Sequence, residues 1–391
     1  MTSTVIAGYV RTPFHFARKG ALAGTRPDDL AATAIRALID RARLDPALIE
    51  DVIMGCAYPE AEQGANIARL ALLLAGLPQS IGGMTVNRFC GSSMSAVHIA
   101  HGQIATGAGE AFICAGVESM SRVPQGGFNH SPNPRFRSPA RPDTSLPDAD
   151  LMIDAHITMG ETAENVAAQY RVPRAEQEKL ALASQRKAAA ARAEGRLADE
   201  IVPVATPDGV VVDSDGCLRP QTTLEALAGL KPAFRPDGTV TAGTASPLTD
   251  GAAAVLVTSE AFAIRHSLPI LARVRATAIV GCPPEIMGIG PVPATRKALA
   301  RAGLTIADID VVEINEAFGS QALACIRALE IPEAIVNIDG GAIAIGHPLG
   351  ATGARITGKA AQLLKRTGGR YALATQCIGG GQGIATILEA V

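Results

Sequence analysis

The feature that most constrains this chain is a repeated alternation of short β-rich runs with Ala-rich helical stretches. Val5–Val10 reads as a strand. Asp28–Arg43 reads as a helix: Leu30, Ala34, Ala37, Leu38 and Leu44 recur at helical spacing, and Pro27-Asp28 marks the start. Asp51–Gly55 reads as a strand, Asn66–Gly76 as a helix, Met84–Asn87 as a strand, Gly91–Thr106 as a helix and Ala111–Ala115 as a strand. This alternation predicts an α/β fold. The pattern returns late in the chain. Asp51-Val52-Ile53-Met54 resembles Asp310-Val311-Val312-Glu313, Val86-Asn87 resembles Val336-Asn337, and Ala111–Gly116 resembles Tyr371–Ile378. The offsets agree at about 250–260 residues, far too long for a solenoid. They predict two homologous halves that share a core.

Ser119 to Ala242 interrupts the alternation. Residues 124–147 are rich in Pro, Arg, Asn and Ser and predict an irregular loop. Glu161–Gln169 and Arg174–Arg192 read as helices, the second from its Ala, Glu, Lys and Arg content. Asp208–Cys217 reads as a hairpin around Asp-Gly. We expect residues 1–118 and 243–266 to form an N-terminal half, 119–242 an inserted subdomain on the substrate side, and 267–391 a C-terminal half. A long interruption of a compact fold is usually functional.

Composition narrows the function. Hydrophobic residues make up 48% and charged residues 18%, against a typical ~25% charged. A chain this poor in charge needs a layered core and a subunit interface, and it is no disordered protein. Gly 40 and Pro 25 argue against a coiled coil. A net charge of −2 supplies no basic field for nucleic acid. No apolar run reaches the ~18–20 residues of a membrane span; the longest candidate, Leu70–Leu77, lies in a short Ala/Leu-rich helix. The N-terminus lacks a basic segment followed by an apolar one, so no secretory signal is read and a cytoplasmic location is expected. Seven cysteines, at 56, 90, 114, 217, 282, 325 and 377, show wide spacing and no CxxC. Neither a disulfide framework nor a metal site is expected. Taken singly, each cysteine reads first as a small buried hydrophobe.

Four segments carry candidate chemistry. In Val86-Asn87-Arg88-Phe89-Cys90-Gly91-Ser92-Ser93-Met94 a strand ends and a helix begins just after Cys90. Free N–H groups and the positive end of a helix dipole stabilise a thiolate there; a buried Cys at a tight turn is the plainer alternative. Gly340–Arg355 is dense in glycine, which allows close backbone approach, and holds His347 between Gly346 and Pro348 on a non-helical segment. A neutral imidazole there can take a proton from a thiol or donate to an oxyanion; a core-satisfied histidine is as good a reading of that segment alone. Thr375–Gly383 places Cys377 before Gly379-Gly380-Gly381, whose amides can cradle negative charge. Asn315-Glu316-Ala317-Phe318 marks a strand meeting a helix, where Asn315 can hold a water or cap the helix.

Together with Thr241–Ser246 and Asp250–Ala253, these segments resemble the thiolase family, in family order and over essentially Val5–Val391. Within it, the resemblance is to the bacterial degradative branch acting on 3-ketoacyl-CoA (acetyl-CoA C-acyltransferases). The resemblance implies duplicated α/β halves in a layered αβαβα core with an inserted loop subdomain. It implies that Cys90 is the nucleophile, His347 its activator, Cys377 the acid and base, and Asn315 the holder of a catalytic water. The amides of Cys90 and Gly379 would form one oxyanion hole, and His347 with the Asn315 water a second. Met159, Arg219, Phe234, Ser246 and Phe318 fall where the family contacts CoA or the acyl chain. Arg135, Arg137, Arg141 and Arg235 are further cations for the CoA phosphates, although the first three read equally as a solvated or subunit-bridging loop. CoA and acyl-CoA are substrates, with no permanently bound cofactor. The partners implied are a second copy or three, as homodimer or homotetramer, and a complex with a hydratase/dehydrogenase is compatible.

Three positions depart from the family pattern. Thr158-Met159-Gly160 stands where short-chain acetoacetyl members often carry His-Met-Gly, which points away from a dedicated acetoacetyl enzyme. Asp339 stands where Asn is usual, and Ile345 where Leu is usual. The rival readings are a biosynthetic acetoacetyl-CoA thiolase and a non-catalytic acyl-CoA or lipid-binding relative. The second is expected to lose Cys90 or His347, and both are present.

Overall fold

The computed structural model describes residues 2–133, 135–136 and 153–391. Arg137 and Arg141 lie outside the described residues, as does half of the loop expected at 124–147. The first stretch runs β1 (Thr4–Arg11), β2 (His15–Phe16), α1 (Pro27–Ala42), β3 (Asp51–Gly55), α2 (Ile67–Leu74), β4 (Gly82–Val86), α3 (Ser92–Thr106) and β5 (Ala111–Ser119). The interruption holds α4 (Met159–Gln169), α5 (Arg174–Ala193), β6 (Val204–Ala205), β7 (Val211–Val212) and α6 (Leu224–Ala228). The remainder runs β8 (Thr249–Ser259), α7 (Glu260–Arg265), β9 (Ala272–Gly281), α8 (Pro291–Ala302), β10 (Val311–Ile314), α9 (Gly319–Ala328), α10 (Ala342–Ile345), α11 (Leu349–Thr367), β11 (Tyr371–Ile378) and β12 (Gln382–Glu389).

Local chemistry explains the main elements. α1 opens with Pro27 and the acidic Asp28 and Asp29, and ends at Arg43 in the left-handed region; it buries Leu30, Ile35 and Leu38 on one face. β8 is buried along its whole length, so its run of Ala, Val and Leu lacks the polar alternation of a half-exposed strand. The hairpin expected at Asp208–Cys217 sits earlier. Val204–Ala205 pairs with Val211–Val212, and Gly209, at φ +82°, makes the turn. Asp213–Cys217 leaves the hairpin because Asp215 is drawn into the core by Arg11, whose guanidinium reaches it at 2.6 and 2.8 Å.

The described residues form one ten-stranded mixed sheet, ordered β10-β11-β12-β9-β1-β8-β5-β3-β4, with β2 on β8. The order is nearly a palindrome about β1 and β9. On one side β3 is parallel to β4 and β5, and β8 is antiparallel to β5 and β1. On the other, β10 is parallel to β11, and β12 is antiparallel to β11 and β9. The two sides meet through two residue pairs, Val5 with Arg273 and Ile6 with Ala272. The repeat seen in sequence therefore maps β3 to β10 and β5 to β11. Its middle match differs. Where β4 is a five-residue strand, Val336 makes a single bridge to Val312, because Pro332 and a 3₁₀ turn at Glu333–Ile335 use up the approach.

The layers follow from burial. α1 and α2 cover the outer face of the first sheet half, and α8 and α9 that of the second. α3 and α11 pack together between the halves, with Met94, Val97, Ala100, Ala354, Ile356 and Ala360 in one central cluster. Their approach needs glycine: a Cβ at Gly353 would lie 2.2 Å from the Met94 nitrogen. A chain of buried charges ties the insertion to this layer. Arg11 pairs with Glu200 at 2.7 Å, Glu200 with Lys359 at 2.9 Å, and Lys359 with Asp339 at 2.8 Å. Asp339 also receives Arg366 at 2.6 Å, together with Arg196. A carboxylate, rather than the usual amide, answers three cations there.

Candidate active site

The chain turns sharply before Cys90. β4 ends at Val86 and α3 begins at Ser92. Between them Phe89 takes φ +42°, a region that a bulky side chain rarely adopts. Neighbouring side chains hold this conformation. The Phe89 N–H donates to Asn87 Oδ1 at 2.8 Å, and Ser92 Oγ donates to Phe89 O at 2.6 Å. Strain of this kind gathers at functional sites. Cys90 is 9% exposed, its carbonyl accepts from Gln376 Nε2, and the Gly379 N–H donates to its thiol. Burial pushes the thiol up to about 12, and the Gly379 N–H opposes that only in part. Desolvation prevails, and Cys90 is a neutral thiol near neutral pH, so a base must take its proton before it attacks.

Gly346, at φ +112°, delivers His347 to the same region, and the His347 N–H donates to Thr249 Oγ1 at 3.0 Å. The ring's tautomer follows from its neighbours. Thr352 Oγ1 donates its one proton to Pro348 O at 2.9 Å, so it accepts from His347 Nδ1 at 2.6 Å. Nε2 then carries the free lone pair and faces Asn315 Nδ2 at 3.3 Å. Burial, with Arg355 nearby, lowers the imidazole to about 3, so it is a neutral base. Asn315 follows β10 but does not cap α9, where Phe318 stands at the cap position. Among the described residues its buried Oδ1 has no hydrogen-bond partner, which suits a bound water.

Cys377 is the next-to-last residue of β11 and is 1% exposed; burial first, then the negative charge Cys90 can carry, raises its thiol well above the ordinary range. Gly380 and Gly381, at φ +77° and +83°, turn the chain into β12 and leave the Gly379 amide aimed at Cys90. Met159 packs in one cluster with Ala317, Phe318 and Cys377, and lies close over Gly379. Phe234 meets Phe318 edge-on at 5.9 Å between ring centroids. Ser246 donates to Ala317 O from its N–H at 3.0 Å and from Oγ at 3.1 Å. Met159, Phe234, Ser246 and Phe318 thus gather beside the thiols.

Arg219 makes its contacts elsewhere. Its guanidinium lies 5.7 Å from the centroid of Phe16, and its N–H donates to Gln185 Oε1 at 2.7 Å. Arg235 donates to Asn165 Oδ1 at 2.7 Å. Arg135 lies in an exposed turn. Among the described residues, no group of three His, Cys, Asp or Glu side chains is gathered as a metal site, and no helix is long and apolar enough to cross a membrane.

Reasoning from sequence passed over Thr352, Thr249 and Phe89. Thr352 stands five residues after His347, a spacing that a helix starting at Leu349 turns back toward the imidazole. Thr249 and Phe89 left no such signal, since one comes from a distant strand and the other acts through its backbone.

Two buried thiols, a neutral imidazole with an amide partner, and a backbone donor aimed at one sulfur suit acyl transfer through a cysteine thioester. A thiolase N-terminal domain model matches residues 4–261, and a thiolase C-terminal domain model residues 268–390. A 3-ketoacyl-CoA thiolase of Shewanella denitrificans is 47% identical, with all of both chains covered. A β-ketoadipyl-CoA thiolase of Escherichia coli is 48% identical, again with all of both covered. The crystal structure of human mitochondrial 3-ketoacyl-CoA thiolase in complex with CoA superposes with a TM-score of 0.89 at 39% identity, covering 100% of this chain and 98% of that one. The chain belongs to the thiolase family and is an acyltransferase.

Proposed function

We propose that this chain cleaves 3-ketoacyl-CoA with CoA, giving acetyl-CoA and a shortened acyl-CoA. His347 Nε2 takes the Cys90 proton, and the sulfur attacks the ketone carbon. The oxyanion forms against the N–H groups of Cys90 and Gly379. The carbon–carbon bond next to that carbon then breaks, and its electron pair becomes the enolate of acetyl-CoA. His347, now carrying a second proton, and a water on Asn315 steady the enolate oxygen, while Cys377 protonates the carbon. Cys90 keeps the acyl group. The Cys377 thiolate next takes the proton of an incoming CoA thiol, which attacks the thioester, and the departing Cys90 sulfur takes its proton back from His347. Met159, Phe234, Ser246 and Phe318 are read as the walls for the pantetheine arm and acyl chain, and Arg219 as the contact for the nucleotide end.

One observation carries this reading. A second buried thiol, Cys377, stands close enough to Cys90 to feel its charge. Hydrolysis of a thioester needs one nucleophile and one base; carbon–carbon cleavage also needs a proton donor for the carbanion. The 3-ketoacyl-CoA thiolases among the relatives support this substrate class, and the β-ketoadipyl-CoA relative adds a dicarboxylic candidate. The test is a series of 3-ketoacyl-CoA substrates of increasing length, including 3-oxoadipyl-CoA, assayed with CoA. Thiolysis across the series is expected. Turnover of acetoacetyl-CoA alone would instead favour a dedicated short-chain or biosynthetic enzyme.

We read the halves and the insertion as divided at 118, 242 and 266. The working form is read as at least a homodimer in the cytoplasm, within a degradative route where a hydratase/dehydrogenase supplies the 3-ketoacyl-CoA. Among the described residues β4 is a sheet edge, and Leu70, Leu73 and Leu74 of neighbouring α2 are exposed; both support pairing with a second copy.

A further inference from the structure

The carboxylate next to Asn315 takes part in none of these steps, yet it is 3% exposed and lies between the segments that carry the imidazole and its amide. Glu316 Oε1 accepts from Asn337 Nδ2 at 2.8 Å. Its Oε2 accepts from Ser184 Oγ at 2.7 Å and from the Ile343 N–H at 3.2 Å. These donors are held in place. Ser184 Oγ accepts from the Gly341 N–H at 3.0 Å and gives its one proton to Glu316. The Asn337 amide is held at both ends: Oδ1 accepts from the Ile314 N–H at 3.0 Å, and Nδ2 also donates to Ile314 O at 2.9 Å. The turn itself leaves no slack, since a Cβ on Gly341 would lie 2.1 Å from the Glu316 carboxyl carbon. One side chain thus joins the end of β10, which delivers Asn315, to the 341–346 turn, which delivers His347.

We propose that Glu316 is a positioning residue for the Asn315–His347 pair, fixing the turn that carries the imidazole against the strand that carries the amide. The proposal rests on the catalytic reading of that pair given above. The site needs an acceptor on both oxygens. A glutamine there sets its NH₂ against either Asn337 Nδ2 or the Ile343 N–H, and neither of these donors can reverse. One anchor is then lost, and the 3.3 Å amide–imidazole separation is no longer held. A displacement of about 1 Å at reacting groups can cost ~10²-fold in rate.

The test compares wild type, Glu316→Gln, Ser184→Ala, Asn315→Ala and the Asn315→Ala/Glu316→Gln double variant in steady-state thiolysis. Glu316→Gln is expected to lower kcat by about 10–100-fold while KM for CoA stays within about twofold. Ser184→Ala removes one of the three hydrogen bonds and is expected to lower kcat by about 3–10-fold in the same pattern. It also carries the test if Glu316→Gln does not fold. Because Glu316 acts through the pair, the loss in the double variant should be smaller than the product of the two single losses. Unchanged kcat in Ser184→Ala and Glu316→Gln overturns the proposal, as do multiplying losses in the double variant. Unchanged kcat in Asn315→Ala overturns the catalytic reading, and this proposal with it.

Discussion

At Cys90 two influences on one sulfur oppose each other. The start of α3 and the Gly379 N–H favour the thiolate; burial disfavours it and prevails, at about 12. The enzyme at rest thus pairs a neutral thiol with a neutral imidazole. Alkylation of Cys90 by iodoacetamide should rise about tenfold per pH unit from pH 7 to 10, because the thiolate fraction grows that way below the thiol's pKa. A rate plateau beginning below pH 8 would contradict this. Cys90→Ala should give no acyl-enzyme by mass spectrometry after incubation with acyl-CoA; a stable acyl group on another cysteine would count against the nucleophile. Cys377→Ala should still be acylated at Cys90 yet lose about 10²–10⁴-fold in steady-state thiolysis, the usual worth of a general acid–base group. Near-normal turnover would remove Cys377 from the mechanism. The nature of these residues is readable from their motifs. The balance at the thiol is not, since a helix start shows in a linear sequence and desolvation does not.

At the scale of elements, the central layer depends on small residues and matched charges. α11 has its most buried surface where it is richest in glycine. A methyl group at Gly353 would press on the Met94 backbone at the start of α3, beside Cys90. Gly353→Ala is therefore expected to lower stability by about 1–3 kcal/mol, the usual cost of overpacking. Denaturant unfolding measures it, and an unchanged midpoint would mean that the two helices can separate without cost. Asp339→Asn tests the charges. It keeps the volume and leaves Lys359, 2% exposed, facing one carboxylate in place of two. A loss of roughly 3 kcal/mol is expected, near the lower end for breaking a buried pair. The alternation of strands and helices was legible, as was the duplicated β3/β10 and β5/β11 pattern. The bridge at Val336 in place of a fifth strand was not, because one proline and one short turn decided it.

For the whole molecule, buried neutral histidine sets the acid limit. Unfolded histidine binds a proton below pH ~6.5, whereas folded His347 holds it off until about pH 3. The unfolded state therefore takes up the extra proton, and stability falls as pH drops from about 6.5 toward 3. At pH 5 His347 alone accounts for about 2 kcal/mol. His98, also lowered to about 3 by burial but half-buried beside solvent, adds a smaller share. Unfolding free energies at pH 7 and pH 5 should differ in that direction; equal values would mean that neither imidazole is desolvated. Light scattering at micromolar concentration should report a dimer or larger, and a monomer would contradict the pairing inferred from β4 and α2.

The order of elements, the halves and their interruption, and the identities of Cys90, His347, Asn315 and Cys377 are local matters. They rest on spacing, glycine placement and residue type, which a linear chain displays. Thr352 on the imidazole, Thr249 on the His347 backbone N–H, Glu316 between two loops, and the Gly379 amide on the Cys90 sulfur are contacts among segments far apart in the chain or bound by a fold-specific turn. So is the buried path from Arg11 through Glu200 and Lys359 to Asp339. Hydrogen-bond commitment and loss of water decide what these groups do, and both exist only after the halves have closed around α3 and α11.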